Sequence, residues 1–454
     1  SIALRKVLGP MTPDNGVDPT VQQPDTPAKT TDQPRTLPPQ VSRRGFILGA
    51  ATAAAAAGTT GLAACGNINR TTEAADDDDP TQAFLADDIV PFDGVHQAGI
   101  DTPGQAHLNI IAFTLRAGTT IDDVRRLMTV WTEDARQLTR GHNPIGSLEP
   151  ELATIPANLT ITCGFGPRFF DIIGKTDQRP EWLKPIPVFS KDKLEDTWGE
   201  ADLALQICCD DPLTLAFATR HMTRAGGKLL ETRWMQQGFL NARGATDPGT
   251  TPRNLFGQKD GTVNPQSTAE YDDYVWIDEN SSDPQWVRGG TCMVVRRIAM
   301  NLDTWEELDR TSREVAMGRY LESGAPLTGK EEFDTADFKA KDQFGLPVID
   351  PRSHMALAAP PTDNPKEKMR RRAYNYLESH IPGSDHTTNV GLVFICFQQN
   401  PVTQFTAIQQ RLNDNDRLNT WITHIGSAVF AVPPGTSEVG AGKDQYWGAS
   451  LLES

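Results

Sequence analysis

The chain has 454 residues and a formal net charge of −16, with 38% hydrophobic and 22% charged residues. That length holds two or three ordinary domains, and the acidic balance excludes a protein that binds the nucleic-acid backbone by bulk charge. Six cysteines without a CxxC spacing exclude a zinc ribbon and a dense disulfide framework.

Residues 1–41 carry eight prolines and little apolar clustering, so they cannot bury enough surface to offset their ordering entropy and are expected to be disordered. Residues 42–65 open with Ser42-Arg43-Arg44-Gly45-Phe46-Ile47-Leu48 and continue as an Ala-rich run. Paired arginines before a weakly apolar stretch form the twin-arginine export pattern. Three Thr and four Gly between Gly45 and Ala64 suit a cleaved signal better than a membrane span. Leu62-Ala63-Ala64-Cys65 reads either as a lipobox with an acylated Cys65 or as a chance cysteine after small residues. Residues 66–87, with four consecutive aspartates at 76–79, read as an acidic tether. Without residues 1–65, which hold six Lys/Arg and four Asp/Glu, the chain carries −18. An extracellular or cell-envelope location follows, with membrane anchoring through Cys65 as the lipoprotein variant. This export route carries folded proteins, often already loaded with a cofactor.

From residue 88 strands and helices alternate. His107–Arg116 is apolar on both faces, as a strand under a covering helix would be. Thr120 caps a helix with apolar residues at 121, 124, 127, 128, 131, 135 and 138 that stops at Gly141. Leu159–Cys163 and Leu203–Cys209 read as strands, Asp211-Pro212 opens a second helix that Gly226-Gly227 closes, and Arg233–Leu240 supplies a fourth strand. After a junction at 256–290, residues 291–454 repeat the order. Thr291–Leu302 is a strand, Asp303 starts a helix bearing Trp305 and Leu308, and Val390–Gln398 is a strand. Pro401 opens a helix with Val402, Phe405, Ile408 and Leu412 on one face, and Ser427–Val432 is the last strand. Each half, 88–255 and 291–454, fits the βαββαβ ferredoxin-like unit. The expected fold is α+β, with two such halves forming a dimeric α+β barrel-like core. Leu321–Asn389 reads as an insertion in the second half, and long insertions are more often functional than idle.

Three segments carry candidate chemistry. Gly257-Gln258-Lys259-Asp260-Gly261-Thr262 brackets one acid with glycines, which either presents Asp260 into a cavity or forms an ordinary Asp-Gly turn. His354 is one of eight histidines, without a second His at helical spacing, which counts against a zinc hydrolase site. A lone histidine in such a place is more often a hydrogen-bonded core residue than a ligand, although a single neutral imidazole is what the proximal side of a haem iron needs. Arg370-Arg371-Arg372 precedes Tyr374 and Tyr376, whose strand-like spacing sends neighbouring arginines to opposite faces. A buried guanidinium is costly unless it serves an anion or a developing negative charge.

Together these segments resemble the dye-decolorizing peroxidases, in particular a branch described as twin-arginine-exported deferrochelatase/peroxidase. Phe92–Ile100, Gly164–Pro167, Gly290–Arg297 and Gly426–Phe430 share the likeness, which spans roughly residues 88–454. The resemblance implies haem b (iron protoporphyrin IX) bound mainly by the second half. His354 would be the proximal iron ligand, Asp260 the distal acid–base residue and Gly261 a cofactor-binding residue. Arg371 would be the distal arginine, with Arg372 as the other register, and Asp414 or Asp416 the acid partner of His354. The implied function is peroxidation, with hydrogen peroxide oxidising dye-like or phenolic donors. The alternative is iron release from haem, or haem handling, in iron acquisition. A third reading, a metal-free ferredoxin-like binding module, is disfavoured by the co-occurrence of Asp260, His354 and the arginines. No nucleic-acid partner is expected, and a homo-oligomer remains open.

Overall fold

The computed structural model describes residues 85–437 and 444–454, which lie in one compact unit from Asp78 to Ser454. Residues 1–65, with the export pattern and Cys65, lie outside the described residues.

Nine strands organise the unit: β1 (His107–Leu115), β2 (Thr160–Phe165), β3 (Leu203–Cys209), β4 (Leu230–Phe239), β5 (Thr291–Met300), β6 (Arg370–Arg371), β7 (Tyr374–Glu378), β8 (Asn389–Gln398) and β9 (Ile422–Val432). In the first half the order is β2-β3-β1-β4, all antiparallel. In the second it is β9-β5-β8-β7, again antiparallel. One residue pair joins each seam between the halves, Phe165 with Ala431 and Phe239 with Asn375, so the sheet closes on itself. Closure removes the exposed strand edges that would otherwise invite aggregation.

The two long helices of the first half begin at caps the sequence supplies. In α1 (Ile121–Thr139) the Thr120 hydroxyl accepts from Asp123 N at 3.2 Å and the Asp123 carboxylate accepts from Thr120 N at 3.0 Å, a reciprocal cap. In α2 (Pro212–Ala225) the Asp211 carboxylate accepts from Thr214 N at 2.7 Å. Val124, Leu127, Met128, Trp131, Ala135 and Leu138 pack α1 on the outer face of the first half, each fully buried side chain of this size contributing about 1.5–3 kcal/mol. Inside the ring, Ile110, Ala112, Cys208, Val295, Tyr374 and Phe430 belong to a second cluster that contains no residue of α1 or α2. A third cluster, including Phe256, Ile298, Trp305 and Leu392, covers the outer face of the second half.

Side chains complete the loosely paired seams. Gln97 donates to Cys163 O (3.1 Å) and Pro433 O (3.0 Å) and accepts from Cys163 N (2.8 Å), bridging β2 to the residue after β9.

Several expectations need correction. The segment 321–389 is not wholly an insertion: β6 and β7 lie within it and pair with β8, and β7 forms part of the ring. The helix expected at Asp303 begins after the Asn301 cap as α3 (Leu302–Glu306), and Leu308 falls between it and α4 (Arg310–Met317). The helix after Pro401 opens as a π turn over Val402–Thr406, with Thr406 N donating to Pro401 O, before α6 (Ala407–Asn415); an i+5 bond shifts the buried face, leaving Val402 57% exposed. Finally, residues 444–454 pack on the first half, with Trp447 N donating to Thr132 Oγ1 and Arg125 to Leu452 O. The five described cysteines are free and buried, and Cys208 and Cys209, adjacent on β3, fall in the inner and outer clusters respectively.

Candidate active site

Asp260 ends a small hairpin. Asn254 N donates to Gln258 O, Gly257 N to Asn254 O, and Asp260 N to Pro252 O. The turn needs φ of +81° at Gly257 and +125° at Gly261, conformations that side-chain-bearing residues rarely adopt. A Cβ at Gly261 would also lie 3.1 Å from Asn264 Nδ2, so this glycine shapes the loop. The Asp260 side chain is mostly covered, and its Oδ1 sits 3.2 Å from Arg371 Nη1 without hydrogen-bond geometry.

Alternation along β6 and into Arg372, whose N–H donates to Ile395 O, sorts the three arginines. Arg370 and Arg372 point the same way, Arg370 donating to Ile100 O and Thr102 O, Arg372 to Thr102 O and the Gln105 carboxamide. Arg371 points to the other side and reaches Asp260. Its backbone is held by one side chain: Arg371 N donates to Asn264 Oδ1 and Asn264 Nδ2 donates to Arg371 O, both at 2.8 Å.

His354 is the first residue of α5 (His354–Ala358), capped by the buried Ser353. Gly318, ending α4 at φ +85°, lets Ser353 approach so closely that a Cβ there would lie 2.9 Å from Ser353 Oγ. Arg411 on α6 donates to Leu357 O and Ala359 O, closing the other end of α5. His354 Nδ1 lies 2.6 Å from Asp416 Oδ2, while Asp416 Oδ1 accepts from Leu418 N at 2.9 Å. Asp416 is only 1% exposed, against 25% for the His354 side chain. Asp414 instead accepts from Gln410 and Asn413. Of the two candidate acids, Asp416 is the one bound to His354.

Burial opposes a charged His354, but the Asp416 charge and hydrogen bond outweigh it and raise its pKa; the charges of Arg371 (opposing) and Asp260 (supporting) also act on the ring. The fold thus brings Asp260, Arg371 and His354 into one electrostatic neighbourhood.

Comparison with known proteins shows what the whole chain is similar to. Residues 97–240 match the family model "Dyp-type peroxidase, N-terminal" and residues 251–437 match "Dyp-type peroxidase, C-terminal". The Dye-decolorizing peroxidase of Thermobifida fusca is 34% identical over 91% of this chain and 97% of its own length. The Deferrochelatase of Yersinia pestis is 33% identical over 91% and 95%. Among solved structures, a DyP-type peroxidase from Cellulomonas bogoriensis is 45% identical with a TM-score of 0.77, covering 82% of this chain and all of that one. DtpA from Streptomyces lividans is 37% identical, with a TM-score of 0.76 over 81% and 98%.

The chain belongs to the Dyp-type peroxidase family. It is a peroxidase enzyme with a haem cofactor.

The residues present fit that cofactor. His354 has its Nδ1 engaged by Asp416, which leaves Nε2 as the ring nitrogen that would hold the iron. Asp260 Oδ1 is buried and accepts no hydrogen bond, so it has capacity for a proton-bearing ligand. Among the described residues no cluster of three His, Cys, Asp or Glu could hold a free metal ion.

Sequence reasoning missed Asn264. The signal was present in the GxxDGTxN spacing, but only the fold shows that its carboxamide meets Arg371, 107 residues away.

Proposed function

We propose that the chain reduces hydrogen peroxide at haem b ligated by His354 and passes the oxidising equivalents to dye-like or phenolic donors. The observation that carries this reading is the pairing of Asp260 with Arg371 in the same neighbourhood as a carboxylate-bound histidine. The haem supplies the iron and the electrons that O–O cleavage consumes. Asp260 accepts a proton from the inner peroxide oxygen through Oδ1 and returns it to the outer one, so that water leaves. Arg371 provides fixed positive charge where negative charge grows on the leaving oxygen. Asp416 holds the His354 ring in one orientation and strengthens it as a donor.

The strand orders β2-β3-β1-β4 and β7-β8-β5-β9 support reading each half as a ferredoxin-like unit. The Deferrochelatase relatives favour a second reading, iron release from haem, which would yield metal-free porphyrin. Residues 42–65 are proposed as an export signal; secretion of a reporter behind residues 1–87, abolished by R43K/R44K, is the test.

The deciding experiment follows the Soret band of the haem-loaded protein after one equivalent of peroxide. The native chain is expected to change within milliseconds, and Asp260→Ala and Arg371→Leu to keep haem while reacting about 10²–10⁴-fold more slowly. His354→Ala should lose the axial-ligand signature. A Soret band indifferent to peroxide, with porphyrin accumulating instead, would overturn the peroxidase reading in favour of iron release.

A further inference from the structure

Asp260 is carried by a loop with no place in the closed sheet, yet the loop is tied down on its outer side. The ties come from residues 319–332, the segment following α4. Glu332 accepts from Thr262 Oγ1 at 2.9 Å through Oε1 and forms an ion pair with Lys259 through Oε2. Lys259 and Thr262 flank Asp260. Both members of the ion pair are largely buried, with side chains 17% and 10% exposed, and its hydrogen bonds from Lys259, Thr251 and Thr262 outweigh burial to lower the Glu332 pKa.

The clamp is itself supported. Arg319 donates to Glu332 O at 3.0 Å and to Gly324 O at 2.7 Å. Gly324, at φ +78°, lies against the Lys259 stem, where a Cβ would come within 2.7 Å of Lys259 Cδ. Arg253 joins the loop to the same segment, donating to Gly257 O, Leu321 O and Glu322 O. The Glu332 contacts meet the loop on both sides of Asp260, at Lys259 and Thr262, and not at Asp260 itself.

We infer that Glu332 is a positioning residue for the proposed acid–base group: by gripping Lys259 and Thr262 it holds the Asp260 carboxylate in register with Arg371. The inference rests on the role proposed for Asp260. The hairpin's backbone bonds, with the Arg253–Lys259 bridge, run among residues 252–260, so they hold the loop's shape but not its place against Arg371, and a misplacement of about 1 Å at a reacting group costs roughly a hundredfold in rate. Part of the apparent insertion is thus a strap for the acid loop.

The test uses the haem-loaded chain and two readouts. Glu332→Ala is expected to lower the bimolecular rate with peroxide by about ten- to a hundredfold at unchanged haem content, and the charge-swapped K259E/E332K pair to recover most of it. Independently of activity, hydrogen–deuterium exchange should speed up at the Asp260 amide, now bonded to Pro252 O, while amides of α1 keep native protection. If Glu332→Ala does not fold, Glu332→Gln, which keeps the bond from Thr262 but not the charge, is judged by the same measurements. Native peroxide rates and native exchange in the Glu332 variants would overturn the inference. A native chain that ignores peroxide would overturn the role of Asp260 instead, leaving the exchange result to judge the clamp.

Discussion

At the scale of single residues, the site depends on groups whose polar atoms are divided between two partners. Asp416 gives one oxygen to the Leu418 amide and the other to His354, so the backbone orients the carboxylate and the carboxylate orients the ring. Asp416→Asn preserves the first contact and removes the charge from the second. It should retain haem, move the iron reduction potential to more positive values and slow the peroxide reaction by about ten- to a hundredfold; spectroelectrochemistry and stopped-flow absorption check both. Asn264 divides its carboxamide likewise, accepting from and donating to the backbone of Arg371. Asp260 and His354 were legible as candidates because their local sequence is unusual. For the arginine the sequence put Arg371 first but left Arg372 as the other register, because three arginines in a row do not fix which one faces Asp260; the fold turns Arg371 toward Asp260 and Arg372 toward Thr102 and Gln105. Asp416 was legible only as one of two, because Asp414 lies on the same short segment and sequence spacing does not say which carboxylate faces a residue 62 positions away.

Among the elements, α1 shows local and tertiary signals agreeing. Its cap, apolar stripe and glycine stop are all local, and its boundaries follow them. Trp131 lies at the centre of the buried face with its indole N–H donating to Met222 O at 2.9 Å. Trp131→Ala should cost about 3–5 kcal/mol, read as a lower urea midpoint at unchanged slope. Elsewhere the signals diverged. Residues 370–378 fall in the stretch left over from the repeated order and so read as part of an insertion, although the spacing of Tyr374 and Tyr376 is strand-like, and they build β6 and β7, which pair with β8. The π turn after Pro401 was invisible because its i+5 bonding follows from the chain's approach to its neighbours, not from side-chain periodicity.

Over the whole molecule, the seams are where the closed sheet is thinnest, and one carries an unusual acid. Glu200 accepts from Val429 N on β9 at 3.2 Å. Burial pushes its pKa up from 4.5 to about 8, against the opposing Val429 bond and Arg233 charge. The folded chain therefore binds this proton more tightly than the unfolded chain. Its contribution is fully present below about pH 4.5, falls as pH climbs, and is gone above about pH 8. Denaturant titrations across that window should show stability declining with pH, and Glu200→Gln should remove this part of the slope.

By itself the sequence determined the α+β alternation, the strands at 107, 203 and 291, the caps of the first two helices, and the residues worth suspecting at 260, 354 and 371. These depend on periodicity and conformational preference over a few neighbouring residues, which a linear chain expresses directly. Tertiary structure alone decided that Asp416 and not Asp414 binds His354, that Asn264 grips Arg371, that Glu332 grips the Asp260 loop, and that the last residues return to the first half. Each of these joins groups far apart in the chain, which only the packing of loops and helices around the sheet brings together.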